Sequence, residues 1–220
     1  MQVSSHVDIC IPADGRKLQG ELTVPRNASG IVAFAHGSGS NRHSPRNQFV
    51  ARELQRAGVA TLLLDLLEEE ETADPDKVID LGMLAERLLA ATRWIGDNPA
   101  TASLVRGYFG ASTGAAVALV AAACNTDDVS AVVSRSGRPD LAKHWLPQVK
   151  APTLLIVGGN DAPVLQWNRD AYRCLSVEKE LIVVPNATHL FEEPGTLEEV
   201  ARHACRWFVR HLAAKAIGDA

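Results

Sequence analysis

The sequence predicts an α/β fold in which one mostly parallel sheet is covered by helices on both faces. Three observations carry that expectation. Short, uniformly apolar runs alternate with segments of helical periodicity along nearly the whole chain. The apolar runs have the length and composition of strands buried on both sides. No repeat, linker or shift in composition divides the 220 residues, so a single domain over 1–220 is expected. Strand–helix alternation makes successive strands parallel, with right-handed crossovers that place helices on either face.

Val7–Pro12 and Leu18–Pro25 flank Ala13-Asp14-Gly15-Arg16, a turn signal that joins them as an antiparallel hairpin. Ile31–Ala35 is the first buried strand. Ser44 then supplies an N-cap with Pro45 at the first helical position, for a helix reaching about Ala57 before Gly58 stops it. Val59–Leu64 is another strand. From Val78 to Gly96, the residues Ile79, Met83, Leu84, Leu88, Leu89, Trp94 and Ile95 recur at helical spacing. Leu104–Phe109 is a strand and Thr113–Cys124 an Ala-rich helix. Ser130–Val133, Thr153–Val157 and Leu181–Val184 are further strands, with helices near Val164–Leu175 and Thr196–Ala214. Thr196-Leu197-Glu198-Glu199 reads as a capping box at the start of the last helix.

Composition narrows the function classes. With 46% hydrophobic and 22% charged residues the chain reads as an ordinary globular protein, and a net charge of −4 offers no basic face for nucleic acid. The N-terminal MQVSSHVDIC lacks the basic and apolar regions of a signal peptide. No apolar run approaches the roughly 18 residues of a membrane span, so neither membrane nor nucleic acid is an expected partner. Cys10, Cys124, Cys174 and Cys205 lie far apart, without metal-ligand spacing. They are expected to be buried free thiols in a cytoplasmic protein, with no metal and no cofactor. Glu68–Glu71 opens a polar stretch reaching Lys77, expected to be a solvated loop.

The most informative motif is Gly110-Ala111-Ser112-Thr113-Gly114, which fits G-x-S-x-G. It follows a strand ending at Phe109 and precedes a helix beginning near Thr113. A strained strand-to-helix turn of this kind lifts the serine hydroxyl clear of the sheet, and the helix aims its free N–H groups at a developing oxyanion. Where a serine stands on such an elbow, the acid and then the histidine follow it along the chain, each on a loop after a strand. His6, His36 and His43 precede the serine, and His36 is expected to be a structural hydrogen-bonder. His144 lies in a helical or turn segment, and His203 and His211 fall on the last helix. His189, between the last strand and the last helix, is the expected general base. Asp161, in Gly158-Gly159-Asn160-Asp161 after the Thr153–Val157 strand, is the expected acid that orients it. Asp140, one strand earlier, is the rival; otherwise it would be a helix N-cap.

His36-Gly37-Ser38-Gly39-Ser40 follows the Ile31–Ala35 strand, where a second oxyanion N–H would arise. The backbone amides of Thr113 and Ser38 are the expected pair, with Gly39 the near alternative. Gly39, Arg42, Arg46 and Arg135 are expected around the substrate. Together with His43 and Arg138 the arginines could rim one mouth and recognise carboxylate or phosphate, or they could pair with internal acids such as Asp65.

These residues resemble the dienelactone-hydrolase-like branch of the α/β-hydrolases. The resemblance runs through His36-Gly37-Ser38-Gly39-Ser40, Ser44-Pro45-Arg46-Asn47, Gly107-Tyr108-Phe109-Gly110-Ala111-Ser112-Thr113-Gly114, Ser134-Arg135-Ser136-Gly137-Arg138-Pro139-Asp140 and His189-Leu190-Phe191. It implies an α/β-hydrolase fold with an eight-strand-type sheet, no large cap, and a Ser/Cys-His-Asp triad. Dienelactone hydrolases carry cysteine as nucleophile where this chain has Ser112, so a general esterase is the expectation. The expected substrate is a small ester or lactone cleaved through an acyl-enzyme. Thioesters or phosphotriesters, or ligand binding without catalysis, are the alternatives. A monomer or homodimer is expected.

Overall fold

The computed structural model describes residues 5–213. Eight strands form one sheet: β1 Ser5–Ala13, β2 Arg16–Val24, β3 Gly30–Ala35, β4 Ala60–Leu64, β5 Val105–Ala111, β6 Val129–Arg135, β7 Thr153–Gly158 and β8 Lys179–Val184. Their order is β1-β2-β4-β3-β5-β6-β7-β8. β1 and β2 form the expected hairpin, with Asp14 and Gly15 in the left-handed region at its turn. β2 pairs antiparallel with β4, and from β4 to β8 every pairing is parallel. β3 shows why the inner strands read as unbroken apolar runs. Its Ile31, Ala33 and Ala35 face one core, and Val32 and Phe34 face the other.

The described residues form six helices: α1 Pro45–Arg56, α2 Pro75–Ile79, α3 Leu81–Asp97, α4 Thr113–Cys124, α5 Ala162–Cys174 and α6 Thr196–Ala213, all but the short, unburied α2 packing on the sheet. α1 and α6 seal one face through Val50, Leu54, Trp207 and Phe208. α3, α4 and α5 seal the other through Leu84, Leu88, Val117, Leu119 and Ala171. β4 lies on one side of β3 and β5 on the other. The winding therefore reverses at β3, and the loops leaving the carboxyl ends of β3 and β5 part around a crevice, the usual ligand position in such sheets.

Several expectations are corrected. The helix expected from Val78 is two helices, because Asp80 turns out of the helical region and caps α3 by accepting the Met83 N–H at 2.9 Å. Ile79 ends α2, 68% exposed, outside the apolar stripe. Thr196 is inside α6, not its cap: its hydroxyl donates to Glu193 O at 2.7 Å, and the Glu199 carboxylate takes Arg202 instead. Cys10 faces outward on the edge strand β1 and Cys124 ends α4, both exposed, while Cys174 and Cys205 are half-buried; all four thiols are free. No helix among the described residues is long and apolar enough to cross a membrane.

The acidic run is not fully solvated either. Glu71 is buried because α3 carries the buried Arg87 beneath it, and a guanidinium removed from water needs a counter-charge. Arg87 donates Nη1 to Glu71 Oε2 at 2.6 Å and Nη2 to Oε1 at 2.9 Å. Hydrogen bonds from Arg87 hold the Glu71 carboxyl at about 2, against an ordinary 4.5. The unfolded chain thus takes up this proton at a higher pH than the folded chain, so the pair stabilises fully above pH 4.5 and its contribution disappears as pH falls toward 2. In urea denaturation at pH 7, Arg87→Met should cost about 3–5 kcal/mol, since it strands a buried carboxylate. The same variant should lose much of the wild-type stability slope between pH 4.5 and 2.

Candidate active site

The crevice at the winding reversal is built around Ser112, the residue between β5 and α4. Its backbone lies at φ 54° and ψ −122°, a conformation L-residues seldom adopt. Close packing leaves no alternative. A Cβ at Gly110 would lie 2.4 Å from Ala115 Cα, and one at Gly114 would lie 2.2 Å from the Ala35 carbonyl oxygen. The Ser112 N–H donates to Arg135 O at 3.0 Å, and its carbonyl accepts the Ala115 and Arg138 amides at 3.1 and 3.0 Å. The side chain makes no capping bond to α4 and is left to face the crevice.

His189 reaches it from the loop after β8. Its Nε2 is 3.2 Å from Ser112 Oγ, and its Nδ1 is 2.6 Å from Asp161 Oδ2. Asp161 occupies the N-cap position of α5 without a capping bond, so its carboxylate is available to the imidazole. The rival Asp140 takes Arg138 instead, at 2.9 Å from Nε and 2.8 Å from Nη2. That arginine also lies 4.2 Å over the Trp167 ring.

The two loops bearing Asp161 and His189 are fastened to each other. Gly159 and Asn160 donate their amides to Val184 O and Ala187 O at 2.8 and 2.9 Å, and Asn160 Nδ2 donates to Asn186 O at 2.9 Å. Glu193 closes the histidine loop by accepting the Thr188 amide at 3.1 Å and hydroxyl at 2.7 Å. These bonds hold the Glu193 carboxyl below the usual range. Its place four residues beyond His189 carried no signal in the sequence.

On the opposite wall, His36 is half-buried and pins the loop after β3. Its Nε2 accepts the Leu66 N–H at 3.0 Å, and its Nδ1 donates to Gly37 O at 3.0 Å. Burial pushes the imidazole pKa down, which keeps the ring in this neutral, bridging form. The two expected oxyanion amides differ in state. Thr113 opens α4, where an amide has no intrahelical acceptor. The Ser38 amide donates to Thr113 Oγ1 at 2.8 Å, so this expected donor is engaged by a neighbouring hydroxyl. Gly39, at φ 71°, forms the turn closed by Ser40 N–H to Gly37 O at 3.1 Å.

The arginines separate. Arg42 turns away to Asp65, whose Oδ1 also accepts the Arg42 amide at 2.6 Å, which corrects its expected place at the substrate. Arg46 and Arg135 do reach the site. With Ser112, His189, Gly37–Ser40 and Ser136 they line a cleft of about 440 Å³. Among the described residues no group of His, Cys, Asp and Glu could hold a metal ion.

A serine on a strand-to-helix elbow at the reversal of a mostly parallel sheet, with histidine and aspartate on later loops, defines the class of the α/β-hydrolases. Residues 18–213 match the profile of the dienelactone hydrolase family, and the chain belongs to that family. The structure of dienelactone hydrolase from Anabaena variabilis superposes with a TM-score of 0.91 and 53% identity, over 94% of this chain and 98% of that one. Est1E from Butyrivibrio proteoclasticus, at 17% identity, shares the fold with a TM-score of 0.81 over 94% of this chain and 99% of its own. Two Mycobacterium tuberculosis proteins, provisionally named phosphoribosyl transferases, are 59% identical over 193 residues. That match covers 88% of this chain but only 44% of theirs, so the chain spans less than half the length of those relatives.

The tight approach of α4 to β3 is open to a direct test. Gly114→Ala brings a methyl against main chain that cannot rotate away. The variant should lose about 3 kcal/mol or more in urea denaturation; a native midpoint would show that the two elements are not held at this distance.

Proposed function

We propose that this protein hydrolyses small carboxylic esters or lactones through an acyl-enzyme on Ser112, with His189 as general base and Asp161 as the acid that orients it. The observation that carries the reading is the imidazole bridging Ser112 Oγ at 3.2 Å and Asp161 Oδ2 at 2.6 Å. Ser112 Oγ attacks the carbonyl carbon as its proton passes to His189 Nε2. His189 returns that proton to the departing alkoxide when the tetrahedral intermediate collapses. A water then attacks the acyl carbon while giving its proton to His189, and the proton returns to Ser112 Oγ as the acid leaves. Asp161 holds Nδ1–H throughout and stabilises the imidazolium.

The oxyanion is received by the Thr113 amide and, once the Thr113 hydroxyl turns aside, by the Ser38 amide. Such a donor contributes about 3 kcal/mol to the transition state. Among the described residues no cap domain is inserted between the strands and helices of the sheet, which favours short or exposed acyl groups. Thioesters and phosphotriesters are the competing electrophiles, and kcat/KM across matched leaving groups ranks them against oxoesters.

A fluorophosphonate should label Ser112 covalently, as read by peptide mass spectrometry. Ser112→Ala should abolish labelling and lower kcat/KM for p-nitrophenyl acetate by roughly ten-thousand-fold or more. Asp161→Asn should lower kcat by on the order of 10³–10⁴, whereas Asp140→Asn should stay within about two-fold. Equal losses in the two aspartate variants would remove Asp161 from this role.

A further inference from the structure

The loop after β3 has a second side that the proposed hydrolysis leaves unused. There it bounds a pocket of about 330 Å³ whose other walls include Leu66, Leu67, Val78, Leu84 and Val117. Four of these leucines and valines are buried in the core, and Val78 packs half-buried against them from the short helix α2. Residues 37–41 line both this pocket and the catalytic cleft. The elbow divides between the two spaces: Ser112 lines the cleft and Thr113 the pocket.

A single hydroxyl closes the seam. Thr113 Oγ1 accepts the Ser38 N–H at 2.8 Å and lies 3.0 Å from Ser38 Oγ. The first of these bonds occupies the very amide that would receive the oxyanion. A well-aligned N–H serves one acceptor, so the closed position of Thr113 and a working Ser38 donor exclude each other. The reaction itself decides which part of an ester meets the pocket. The leaving oxygen has to stay within reach of His189 Nε2, and His189 lines the cleft but not the pocket. The acyl chain, on the other side of the carbonyl carbon, is the part that extends past Thr113.

We propose that this pocket binds an uncharged, unbranched acyl chain of about four to six carbons, and that the Thr113 hydroxyl is a latch which the chain displaces to free the Ser38 amide. The inference deepens the hydrolase reading and rests on it for the word acyl. The Thr113 side chain is a positioning group, acting on the oxyanion only through Ser38. Such a latch divides its cost unequally between substrates. An acetyl ester leaves the pocket empty, so the latch is closed in the bound state and opens only on the way to the transition state, at the expense of kcat. A hexanoyl ester opens it on binding, at the expense of KM.

p-Nitrophenyl acetate and p-nitrophenyl hexanoate read both halves of the proposal. Each buried methylene is worth about four-fold, so wild-type kcat/KM should favour the hexanoate by roughly a hundred-fold. Val78→Trp narrows the pocket from an unburied helix and should bring that ratio toward one. Because it is a ratio within one protein, a general loss of activity does not mimic the effect. Thr113→Val keeps the shape of the side chain and removes the acceptor. It should raise kcat for the acetate about two- to ten-fold and lower KM for the hexanoate by a similar factor. Thr113→Ser, which keeps the oxygen, should show neither gain.

The pocket and its latch are separable from hydrolysis. In Ser112→Ala, an NMR titration with hexanamide should shift the Ser38 amide proton and the Val78 and Val117 methyl signals, whereas acetamide should leave those methyl signals in place. Such shifts support the proposal even if no ester is cleaved. A wild-type ratio at or below one overturns it, as does a loss of kcat/KM for both esters in Thr113→Val or a gain that falls on kcat for both alike. A Ser38 amide unmoved by hexanamide overturns it as well.

Discussion

The backbone at Ser112 lies in a region that costs a side-chain-bearing residue on the order of 1–3 kcal/mol, and the architecture around it exists to hold it there. Its amide is tied to β6 through Arg135 O, and its carbonyl is tied to the amides of Ala115 and Arg138. Gly110 and Gly114 let α4 press against β5 and against the end of β3 until no methyl group fits between them. These contacts need β5 between β3 and β6, which is the strand order that the winding reversal produces. The hydroxyl therefore emerges at the one edge of the sheet where loops diverge. An elbow of this kind is inseparable from its sheet: relaxing the turn would withdraw the hydroxyl, and reordering the strands would remove the contacts that sustain the turn.

Much of this was readable because it rests on short-range rules. Alternating apolar runs and helical stripes gave the strands to within a few residues, since a strand buried on both faces has almost no freedom in composition. The serine elbow was readable because two glycines, an apolar strand before it and an Ala-rich helix after it all lie within a dozen residues. His189 and Asp161 followed from chain order, and the structure brings both to within hydrogen-bonding distance in a single chain of contacts.

What escaped the sequence depends on three-dimensional partners. Glu71 looked like one more solvated acid until Arg87, sixteen residues on, took it into the interior. Asp80 was hidden inside an apolar periodicity that continues across the break it makes, because a capping aspartate differs from an exposed helical one only in backbone angle. Thr196 satisfies a capping pattern yet donates backward to Glu193. Arg42 and Arg46 stand four residues apart, but one faces Asp65 and the other the cleft. Spacing alone does not tell a paired arginine from an unpaired one.

The fastening between the β7 and β8 loops has an evolutionary consequence. Asp161 and His189 are bound to each other's loops by several main-chain bonds, whereas Ser112 meets the imidazole through one side-chain contact. The imidazole and carboxylate thus form a preassembled cassette, indifferent to the atom placed before it. Exchange of sulfur for oxygen at position 112, the difference between this chain and the cysteine pattern it resembles, leaves every bond within that cassette intact. Under the proposed mechanism, a serine-to-cysteine exchange at position 112, a single-base change, asks for no rebuilding of the scaffold that holds the imidazole and carboxylate.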